Sequence, residues 1–475
     1  MSKLLRTINS RTAIALVVGT VIGSGVFMKP SLMLGQLGSP WLLLSVWVVA
    51  GLVTIFGALS NAEVASLYPE TGGPFIFFQK MYGKTFAFLY GWAAFAVINT
   101  AGNASIAYIC AEYTNYFIAL PRFDAITEKA IRFYIPFIGY VFPLANAGVK
   151  ALTIMLILIL TAINYRTVHG GGALQRFLTA LKALAILLLI GGIFTSGKGS
   201  FTHLAQLVDR NFEMSYIGAY MAALSGAFWA YDGWNNINTV AGEIKDPQRN
   251  IPKSLLLGLG ACMVIYLLLN LAYIYVLPAE QMKQSSFVAS DTAEMVWGAI
   301  GGSLITLMVI FSTFGALNAN IFATARLTFS LGEESKWFSR AAKVQPDYKT
   351  PGNALWLNAI WASAMVISGS FDMLTDMLIF VSWFFYGMGG LGLFILRWKK
   401  PDLPRIYKVP GYPIIPAIFV LFTALYLVTT LYTDIANYRA GNVPIINSLL
   451  GVLITLVGLP VYWLSRRGAK VSDTC

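Results

Sequence analysis

Apolar segments, each about as long as a bilayer is thick, follow one another along nearly the whole chain of 475 residues. A membrane-spanning α-helix needs about 20 predominantly apolar residues. Twelve segments approach or exceed that length, at roughly residues 12–35, 41–66, 85–116, 149–165, 174–195, 214–241, 254–278, 291–331, 352–370, 373–397, 411–432 and 445–465. Because lipid offers the backbone no hydrogen-bond partner, such segments are expected to cross as helices. The sequence therefore predicts an all-α polytopic membrane protein with 12 transmembrane helices.

The charged residues are few and unevenly placed. Only 11% of residues are charged, against about 25% in soluble proteins. The net charge of +12 does not indicate a nucleic-acid-binding surface, because the basic residues lie in short loops between apolar segments. With the N-terminus placed inside, 22 of the 33 Lys and Arg residues fall on the inside face and nine on the outside. This bias predicts both termini in the cytoplasm, in a cell inner or plasma membrane, and no nucleic-acid partner.

Metal, cofactor and catalytic motifs are not found in the sequence. The three Cys and two His residues show no metal-ligand spacing. No Ser/His/Asp arrangement or phosphate loop accompanies the polar residues of the apolar segments. We therefore predict no metal site, no cofactor and no enzymatic activity.

The first apolar segment is interrupted by small residues. Within Val17–Pro30 it contains Gly19, Gly23, Ser24 and Gly25. Helix-interior glycine costs about 1 kcal/mol relative to alanine. One interpretation is a break that exposes backbone N–H and C=O groups to a ligand. The other is close helix packing, because Gly19 and Gly23 form a GxxxG pair.

The sixth apolar segment is interrupted in the same way. Asp232, Gly233, Asn235 and Asn236 lie within an otherwise apolar run. A carboxylate inside a membrane is costly, so it indicates a functional position; a shorter span that ends at Asp232 is the alternative. The two interrupted segments are five spans apart, which relates them as matching positions of two inverted repeats. That pairing is typical of the central site of a secondary transporter.

Each break would create one helix end with free N–H groups and one with free C=O groups. The N–H groups around Ser24 and Gly25 suit a carboxylate. The carbonyls around Trp229, Ala230 and Asp232 suit an ammonium group. A site with both matches a zwitterion, and a free L-amino acid is the simplest such ligand.

Four motifs carry a resemblance to a known family. They are Gly19–Phe27, Asn61–Gly73, Trp229–Asn235 and Gly242–Pro252. In them the chain resembles the amino acid–polyamine–organocation (APC) superfamily, and within it the L-type amino acid transporter (LAT) family with its bacterial serine/threonine exchangers. The resemblance implies a leucine-transporter-type fold in one transporter domain, residues 1–475. Its first inverted repeat would be about 1–195, its second about 214–397, and two peripheral helices would lie at about 411–465, with helices 1 and 6 unwound at the midplane.

The resemblance also assigns roles to individual residues. The substrate carboxylate would be bound at Val21, Ile22, Ser24 and Gly25, and the amino group by the backbone carbonyls of Trp229, Ala230 and Asp232. Trp229 would be an aromatic gate over the substrate, with plain packing as the alternative. Asp232 does not decide whether the substrate side chain is cationic or neutral, because the resemblance at this position extends both to the cystine and dibasic amino acid branch and to the serine/threonine exchangers. Gly19 and Glu63 would serve the transport mechanism, Glu63 within an inside-facing charge network.

Lys182 lies in the middle of the fifth apolar segment, where an ammonium group needs a partner or an aqueous cavity. In the family, a Lys here reaches toward the first unwound helix and occupies space where sodium-coupled relatives bind an ion. The resemblance therefore implies Na⁺-independent transport.

The resemblance predicts an exchanger of small neutral L-amino acids that works by alternating access. A proton-coupled symporter or a uniporter of neutral or cationic amino acids or polyamines is the alternative. Many animal members join a heavy chain through a Cys between spans three and four, but the loop at about 117–148 has no Cys. We therefore expect free L-amino acids and the lipid bilayer as partners, and no disulfide-linked heavy chain.

Overall fold

The computed structural model describes residues 6, 8–69, 73–166, 172–210, 215–334 and 338–467, and it is almost entirely helical there. In its first half the α-helices are α1 Ser10–Val21, α2 Gly25–Leu37, α3 Pro40–Leu67, α4 Pro74–Tyr82, α5 Lys84–Ala93, α6 Thr100–Asn115, α7 Ala125–Ala130, α8 Ala147–Arg166 and α9 Gly172–Thr195. In its second half they are α10 Tyr216–Tyr231, α11 Pro247–Val276, α12 Ala279–Gln284, α13 Val288–Trp297, α14 Ala299–Glu334, α15 Gly352–Ser368, α16 Phe371–Lys399, α17 Ile414–Arg439, α18 Asn447–Leu456 and α19 Gly458–Arg467.

Short irregular elements complete the chain. A π-helical turn, Ala94–Asn99, joins α5 to α6. The 3₁₀ stretches are Phe201–Ala205 and Trp234–Glu243. Two strands, β1 Phe133–Ile135 and β2 Gly139–Val141, pair antiparallel. This hairpin is an element that the apolar pattern did not predict, because three-residue strands leave too few positions for a periodicity.

Within the described residues, eight helices are long and apolar enough to cross a membrane, and the bent pair of α1 and α2 makes up to nine. The predicted spans at 214–241 and 352–370 correspond to shorter helices, because α10 has 16 residues and α15 has 17. For the predicted span at 174–195, α9 is described with its side chains only from Lys182 onward. The long apolar segment at 291–331 is two helices, since Gly298 has φ +72° and ends α13. The chain is therefore a polytopic helical protein, as its composition predicts.

The first of two compact units comprises Met1–Ala87, Leu189–Val296 and Ser382–Thr430. In it α11 packs against both α1 and α3, and α10 packs against α2 and α3. Gly258 allows the close approach of α11 to α1, because a Cβ there would lie 2.7 Å from Val17 Cγ1. Small residues at such crossings are typical of membrane helix pairs, which depend on van der Waals packing.

The second unit comprises Phe88–Leu188, Trp297–Val381 and Leu431–Cys475. Its core packs α6, α8, α14 and α15 against one another. Part-buried hydrogen bonds between side-chain amides join these helices: Asn320 Nδ2 donates to Asn103 Oδ1 at 2.8 Å, and Asn164 Nδ2 donates to Asn318 Oδ1 at 2.7 Å. Such bonds between apolar helices satisfy groups that lipid cannot.

Candidate functional site

The first apolar segment is broken at residues 22–24. Helix α1 ends at Val21, and the Ile22 amide makes the last bond of that helix, to the Val18 carbonyl at 2.9 Å. Helix α2 begins at Gly25, and the two helices are bent by 47°. The Ser24 side chain makes no capping bond to the first turn of α2. The backbone amides at the start of α2 form the positive end of its helix dipole, and the Ser24 hydroxyl does not cap them.

The sixth apolar segment is broken at residues 232–233. Helix α10 ends at Tyr231, Asp232 is extended with ψ 159°, and a 3₁₀ stretch follows from Trp234. Gly233 has φ +99°, a left-handed conformation that side chains rarely adopt. A Cβ at Gly233 would also lie 2.6 Å from the Thr20 carbonyl oxygen. Only glycine fits at position 233, because the backbone there is left-handed and because a Cβ would clash with α1.

The two breaks lie against each other. A Cβ at Gly25 would be 2.7 Å from Ala230 Cα and 3.0 Å from Trp229 Cδ1. The start of α2 therefore touches the end of α10 through backbone and small side chains. The structure in this way brings together most of the substrate-binding residues singled out in the sequence, and it places a helix N-terminus beside a helix C-terminus.

A tyrosine from a third helix contacts both breaks. Tyr266 of α11 lies with its hydroxyl 2.8 Å from the Val21 carbonyl oxygen and 2.8 Å from the Ala230 carbonyl oxygen. The Tyr266 ring is fully buried beside Trp47 and Tyr231. Sequence reasoning missed Tyr266. The available signal was a tyrosine inside an apolar span, since a buried tyrosine hydroxyl usually finds a partner.

The Asp232 carboxylate also has a tyrosine partner. The Tyr386 hydroxyl of α16 donates to Asp232 Oδ1 at 2.7 Å. The Trp234 ring lies 4.9 Å from the Tyr386 ring, centre to centre, and fixes one side of it. Tyr386 was likewise missed, because nothing in the sequence pairs α16 with α10.

Glu63 is fully buried in α3 and belongs to a charge network. Arg397 donates to both carboxylate oxygens, with Nε to Oε1 at 2.9 Å and Nη2 to Oε2 at 2.7 Å. The Val409 amide donates to Oε2 at 2.7 Å, and Arg405 Nε lies 3.4 Å from Oε1. The structure thus places Glu63 among arginines.

The two remaining predicted residues lie in different units. Gly19 is a partly exposed residue of α1, in the first unit, whereas Gly23 lies between the helices. Lys182 is only 7% exposed and lies on α9, within the second unit. Among the residues that the structure describes, no group of three or more His, Cys, Asp or Glu residues could hold a metal ion.

Known proteins match the chain over nearly its whole length. The amino acid permease family model matches residues 8–457. The Large neutral amino acids transporter small subunit 2 of Mus musculus is 31% identical over 95% of this chain and 80% of its own length. The serine/threonine exchanger SteT of Bacillus subtilis is 30% identical over 95% of this chain and 94% of its own. The b(0,+)-type amino acid transporter 1 of Mus musculus is 30% identical over 98% of this chain and 88% of its own.

These matches agree with the resemblance drawn from the four motifs. The family and the matched relatives are transporters and not enzymes. The broken helices with their apposed ends lie inside the matched region. The chain is therefore a multi-pass membrane protein that belongs to the amino acid permease family of the APC superfamily, alongside the L-type amino acid transporters.

Proposed function

We propose that this protein is a Na⁺-independent exchanger of small neutral L-amino acids that works by alternating access. The observation that carries the proposal is the contact between the start of α2 and the end of α10, at Gly25 and Ala230. It sets a donor-rich helix end against an acceptor-rich one. A zwitterionic amino acid is complementary to both at once.

The carboxylate of the substrate would bind at the start of α2. The residues proposed for this are Val21, Ile22, Ser24 and Gly25, of which the first three are less than 10% exposed. Backbone amides in the first turn of a helix lack intrahelical partners and aim at an anion. Because the Ser24 side chain does not cap α2, a carboxylate could take that role.

The ammonium group would bind at the end of α10. The carbonyls of Trp229, Ala230 and Asp232 lie at or next to the last turn, where the helix dipole is negative. A carbonyl oxygen has two lone pairs, so a bond such as that from the Asp232 amide to the Trp229 oxygen at 3.3 Å leaves room for a second donor. The Trp229 ring, beside Gly25, is proposed to close over the substrate.

The preference for a neutral side chain is supported by the contact between Tyr386 and Asp232. The Tyr386 hydroxyl already donates to the carboxylate that a cationic side chain would seek. A relative at 30% identity is named a serine/threonine exchanger, which agrees with a small polar or apolar substrate. A relative of equal identity is named a b(0,+)-type transporter, so cationic substrates are the alternative that a competition panel must test.

The transport cycle proposed is the family's alternating access around two inverted repeats, about residues 1–195 and 214–397, followed by two peripheral helices. In that scheme Gly19 and the break at 22–24 let the two halves of the first span tilt separately. Glu63 would hold the inside face together, and both termini would be cytoplasmic. The excess of basic residues in the loops on that face supports this orientation.

The experiment that tests the function is counterflow in proteoliposomes made from the purified single chain. Vesicles preloaded with unlabelled L-serine should take up labelled L-serine in the absence of Na⁺ and of a pH gradient, whereas empty vesicles should not. Uptake into empty vesicles, or uptake that requires a proton gradient, would favour a uniporter or symporter instead. Because the chain is used alone, activity would also show that no disulfide-linked heavy chain is needed.

A further inference from the structure

A small cavity in the second unit lies where α8 ends. Helices α8, α14 and α15 pack against one another. Residues of these helices and of the turn before α15 enclose a cavity of about 20 Å³, and its lining includes the cationic side chains of Arg326 and Lys349. One water molecule needs about 10–15 Å³. The cavity can therefore admit an oxygen atom of an anion, with the rest of that molecule outside.

Neither cation of this cavity is neutralised by a carboxylate. Within the residues that the structure describes, the ion pairs involve other side chains. The acidic residue nearest to Lys349 along the chain, Asp347, instead accepts from the Gln345 side-chain amide at 3.4 Å. The residues that line the cavity include no acidic one. Two such cations repel each other, so an anion between them is favoured.

The Arg326 guanidinium is turned back along α14. It lies 3.5 Å from the centre of the Phe322 ring and donates to the Phe322 carbonyl oxygen, one turn earlier in the helix. That bond uses one of its five N–H groups. The planar fork of the guanidinium matches the geometry of phosphate oxygens, which it can bind through two parallel hydrogen bonds. Arg326 therefore favours phosphate over other anions of the same charge.

Lys349 is held beside the cavity in a costly backbone conformation. Its φ is +55°, a left-handed value that glycine and asparagine adopt more readily than lysine. The Lys349 amide donates to the Gln345 oxygen at 2.9 Å, and the Gln345 amide donates to the Thr350 oxygen at 2.8 Å. The Thr350 hydroxyl donates to the Tyr165 oxygen at 2.8 Å, which ties this turn to the end of α8. A strained residue that its surroundings fix in this way indicates a function at that position.

The cavity lies at the level of lipid headgroups. At about 1.5 Å per residue, Arg326 is about 40 Å along α14 from its first residue, whereas the hydrocarbon core is about 30 Å thick. The Tyr165 ring lies 5.9 Å from the Tyr348 ring and 6.5 Å from the Trp356 ring, centre to centre. Tyrosine and tryptophan are enriched where the membrane meets water. Helix length and aromatic residues therefore give the same depth.

An apolar strip on α8 leads to the cavity. Met155, Ile159 and Ile163 recur at every fourth position, so they share one face of the helix, and each is about half exposed. The next residue, Asn164, lines the cavity. Acyl chains that lie along this strip bring their headgroup to the two cations, whereas a free phosphate ion gains nothing from it.

We propose that this cavity binds the phosphate group of an anionic membrane phospholipid. Arg326 and Lys349 hold the phosphate oxygens, and the acyl chains lie along α8. Basic pockets between transmembrane helices bind anionic headgroups in this way. A zwitterionic lipid is disfavoured, because its own ammonium group is repelled by the two cations. The proposal goes beyond the transport function and does not depend on it, since none of these residues is among those proposed to bind the amino acid.

The test measures lipid binding to the purified full chain by native mass spectrometry. Dioleoyl phosphatidylglycerol is the anionic probe, and dioleoyl phosphatidylcholine has the same chains with a zwitterionic headgroup. The first phosphatidylglycerol should bind about 10-fold more tightly than the first phosphatidylcholine, because hydrogen bonds to charged groups are the stronger ones. Equal affinity for the two lipids would overturn the proposal.

Inorganic phosphate distinguishes the two sources of a phosphate group. Added in excess at constant ionic strength, it should leave the Kd for phosphatidylglycerol unchanged within about 2-fold, because it cannot use the apolar strip. If inorganic phosphate abolishes the binding of phosphatidylglycerol, the cavity is a site for a free anion and the lipid proposal is wrong.

Two double variants remove the same number of charges. Arg326→Gln with Lys349→Gln removes the cations of the cavity and should raise the Kd for phosphatidylglycerol about 10-fold or more. Arg340→Gln with Lys343→Gln removes an exposed arginine and lysine that do not line it. The Kd should then change less than about 2-fold, since exposed charges out of contact are screened at physiological salt. Equal losses in both would show a diffuse attraction and overturn the site.

A single variant keeps the test decisive if the first double variant does not accumulate. Lys349→Asn removes the charge, and asparagine tolerates the left-handed backbone there. This variant should be at least as stable as the wild type in detergent, and its Kd for phosphatidylglycerol should rise about 3-fold or more. A stable Lys349→Asn that binds phosphatidylglycerol as the wild type does would overturn the proposal.

Discussion

At Gly25 a single hydrogen in place of a side chain decides whether α2 can lie against α10. A Cβ there would be 2.7 Å from Ala230 Cα, a backbone atom that cannot rotate away. We predict that Gly25→Ala abolishes counterflow of L-serine and lowers its binding below detection, because the two helix ends are pushed apart. The matched control is Gly260→Ala, since a Cβ at Gly260 meets nothing within 4 Å. Normal exchange by Gly25→Ala would mean that the contact of the two breaks is not part of the site.

Tyr386 is expected to affect the selectivity of the site between neutral and cationic substrate side chains. Its hydroxyl donates to Asp232 Oδ1 at 2.7 Å. Tyr386→Phe leaves the carboxylate short of one donor. A cationic side chain can replace that donor with a charge-assisted hydrogen bond, which is about twice as strong as the bond that a neutral side chain can make. We predict that the ratio of kcat/KM for L-arginine to that for L-serine rises about 3- to 10-fold in Tyr386→Phe. The rise should vanish in the double variant with Asp232→Asn, and its persistence there would show that another group is responsible.

Among single residues, the sequence predicts those that interrupt the apolar pattern of a span and misses those that conform to it. Ser24, Gly25 and Asp232 stand out because small or charged residues interrupt an apolar run. Tyr266 and Tyr386 do not, since aromatic residues are common in spans. Their importance comes from tertiary contacts with a backbone oxygen and a carboxylate that no spacing along the chain reveals.

Among the elements, α3 is tied to α16 and to the segment after it by the buried Glu63. The carboxylate receives bonds from Arg397 and from the Val409 amide. Removing one partner of a buried, hydrogen-bonded ion pair costs about 3–5 kcal/mol. We therefore predict that Glu63→Gln lowers the Tm of the purified protein by several degrees, measured by thermal unfolding in detergent.

The control for Glu63 is an ion pair whose carboxylate is exposed. Glu280 lies 3.9 Å from Lys283 and its side chain is 53% exposed. Such surface pairs contribute about 0–1 kcal/mol, so Glu280→Gln should leave Tm nearly unchanged. Equal shifts in both variants would contradict a structural role specific to the buried network.

The segment around α7 is predicted to lose order at acid pH. Hydrogen bonds from Arg122, and then from the Asn146 amide, hold the pKa of Glu128 below its ordinary value of 4.5. A lowered carboxyl pKa stabilises the folded segment above the unfolded value, and that stability is lost as pH falls through the folded pKa. Hydrogen exchange of residues 124–146 should therefore show constant protection from pH 7 to about 4.5 and falling protection below. In Glu128→Gln, protection should be lower at pH 7 and its acid-dependent fall should be smaller. The remaining fall is due to Asp124, which caps α7 and whose pKa is also lowered by its hydrogen bonds with Thr127 and Ile126.

The helices themselves illustrate what apolar length can predict. Runs such as α3, α11 and α17 were predictable, because each has a long apolar stretch without a left-handed glycine, and the proline inside α11, Pro252, lies near its start. The end of α10 at Tyr231 and the separation of α13 from α14 depend on the conformations of Gly233 and Gly298. Hydropathy averages over such single residues, so by itself it predicts one long span where the chain turns. At α10 the polar residues from Asp232 onward also mark the interruption, whereas no polar residue next to Gly298 does so.

For the whole molecule, chain order and spatial grouping differ. The two inverted repeats that the resemblance predicts would divide the chain at about residue 200, whereas each compact unit draws on three separate stretches of the chain. Hydropathy measures each span alone, and it carries no information on which spans pack together. The helix pairs of each unit are instead chosen by side-chain contacts, such as Gly258 with Val17 and Asn103 with Asn320.

The last prediction concerns the ion dependence of the complete transporter. Lys182 is 7% exposed within α9, and the resemblance implies that its ammonium group occupies space where sodium-coupled relatives bind an ion. A fixed ammonium repels Na⁺ and supplies positive charge of its own. Exchange should therefore run equally fast in Na⁺ and in choline. Lys182→Ala should cut it about 10-fold or more, as for a functional charge inside a membrane, at unchanged protein content. The control variant Lys343→Ala, at an exposed loop position, should exchange normally. Na⁺ stimulation of the wild type, or full activity of Lys182→Ala, would contradict the proposed role of Lys182.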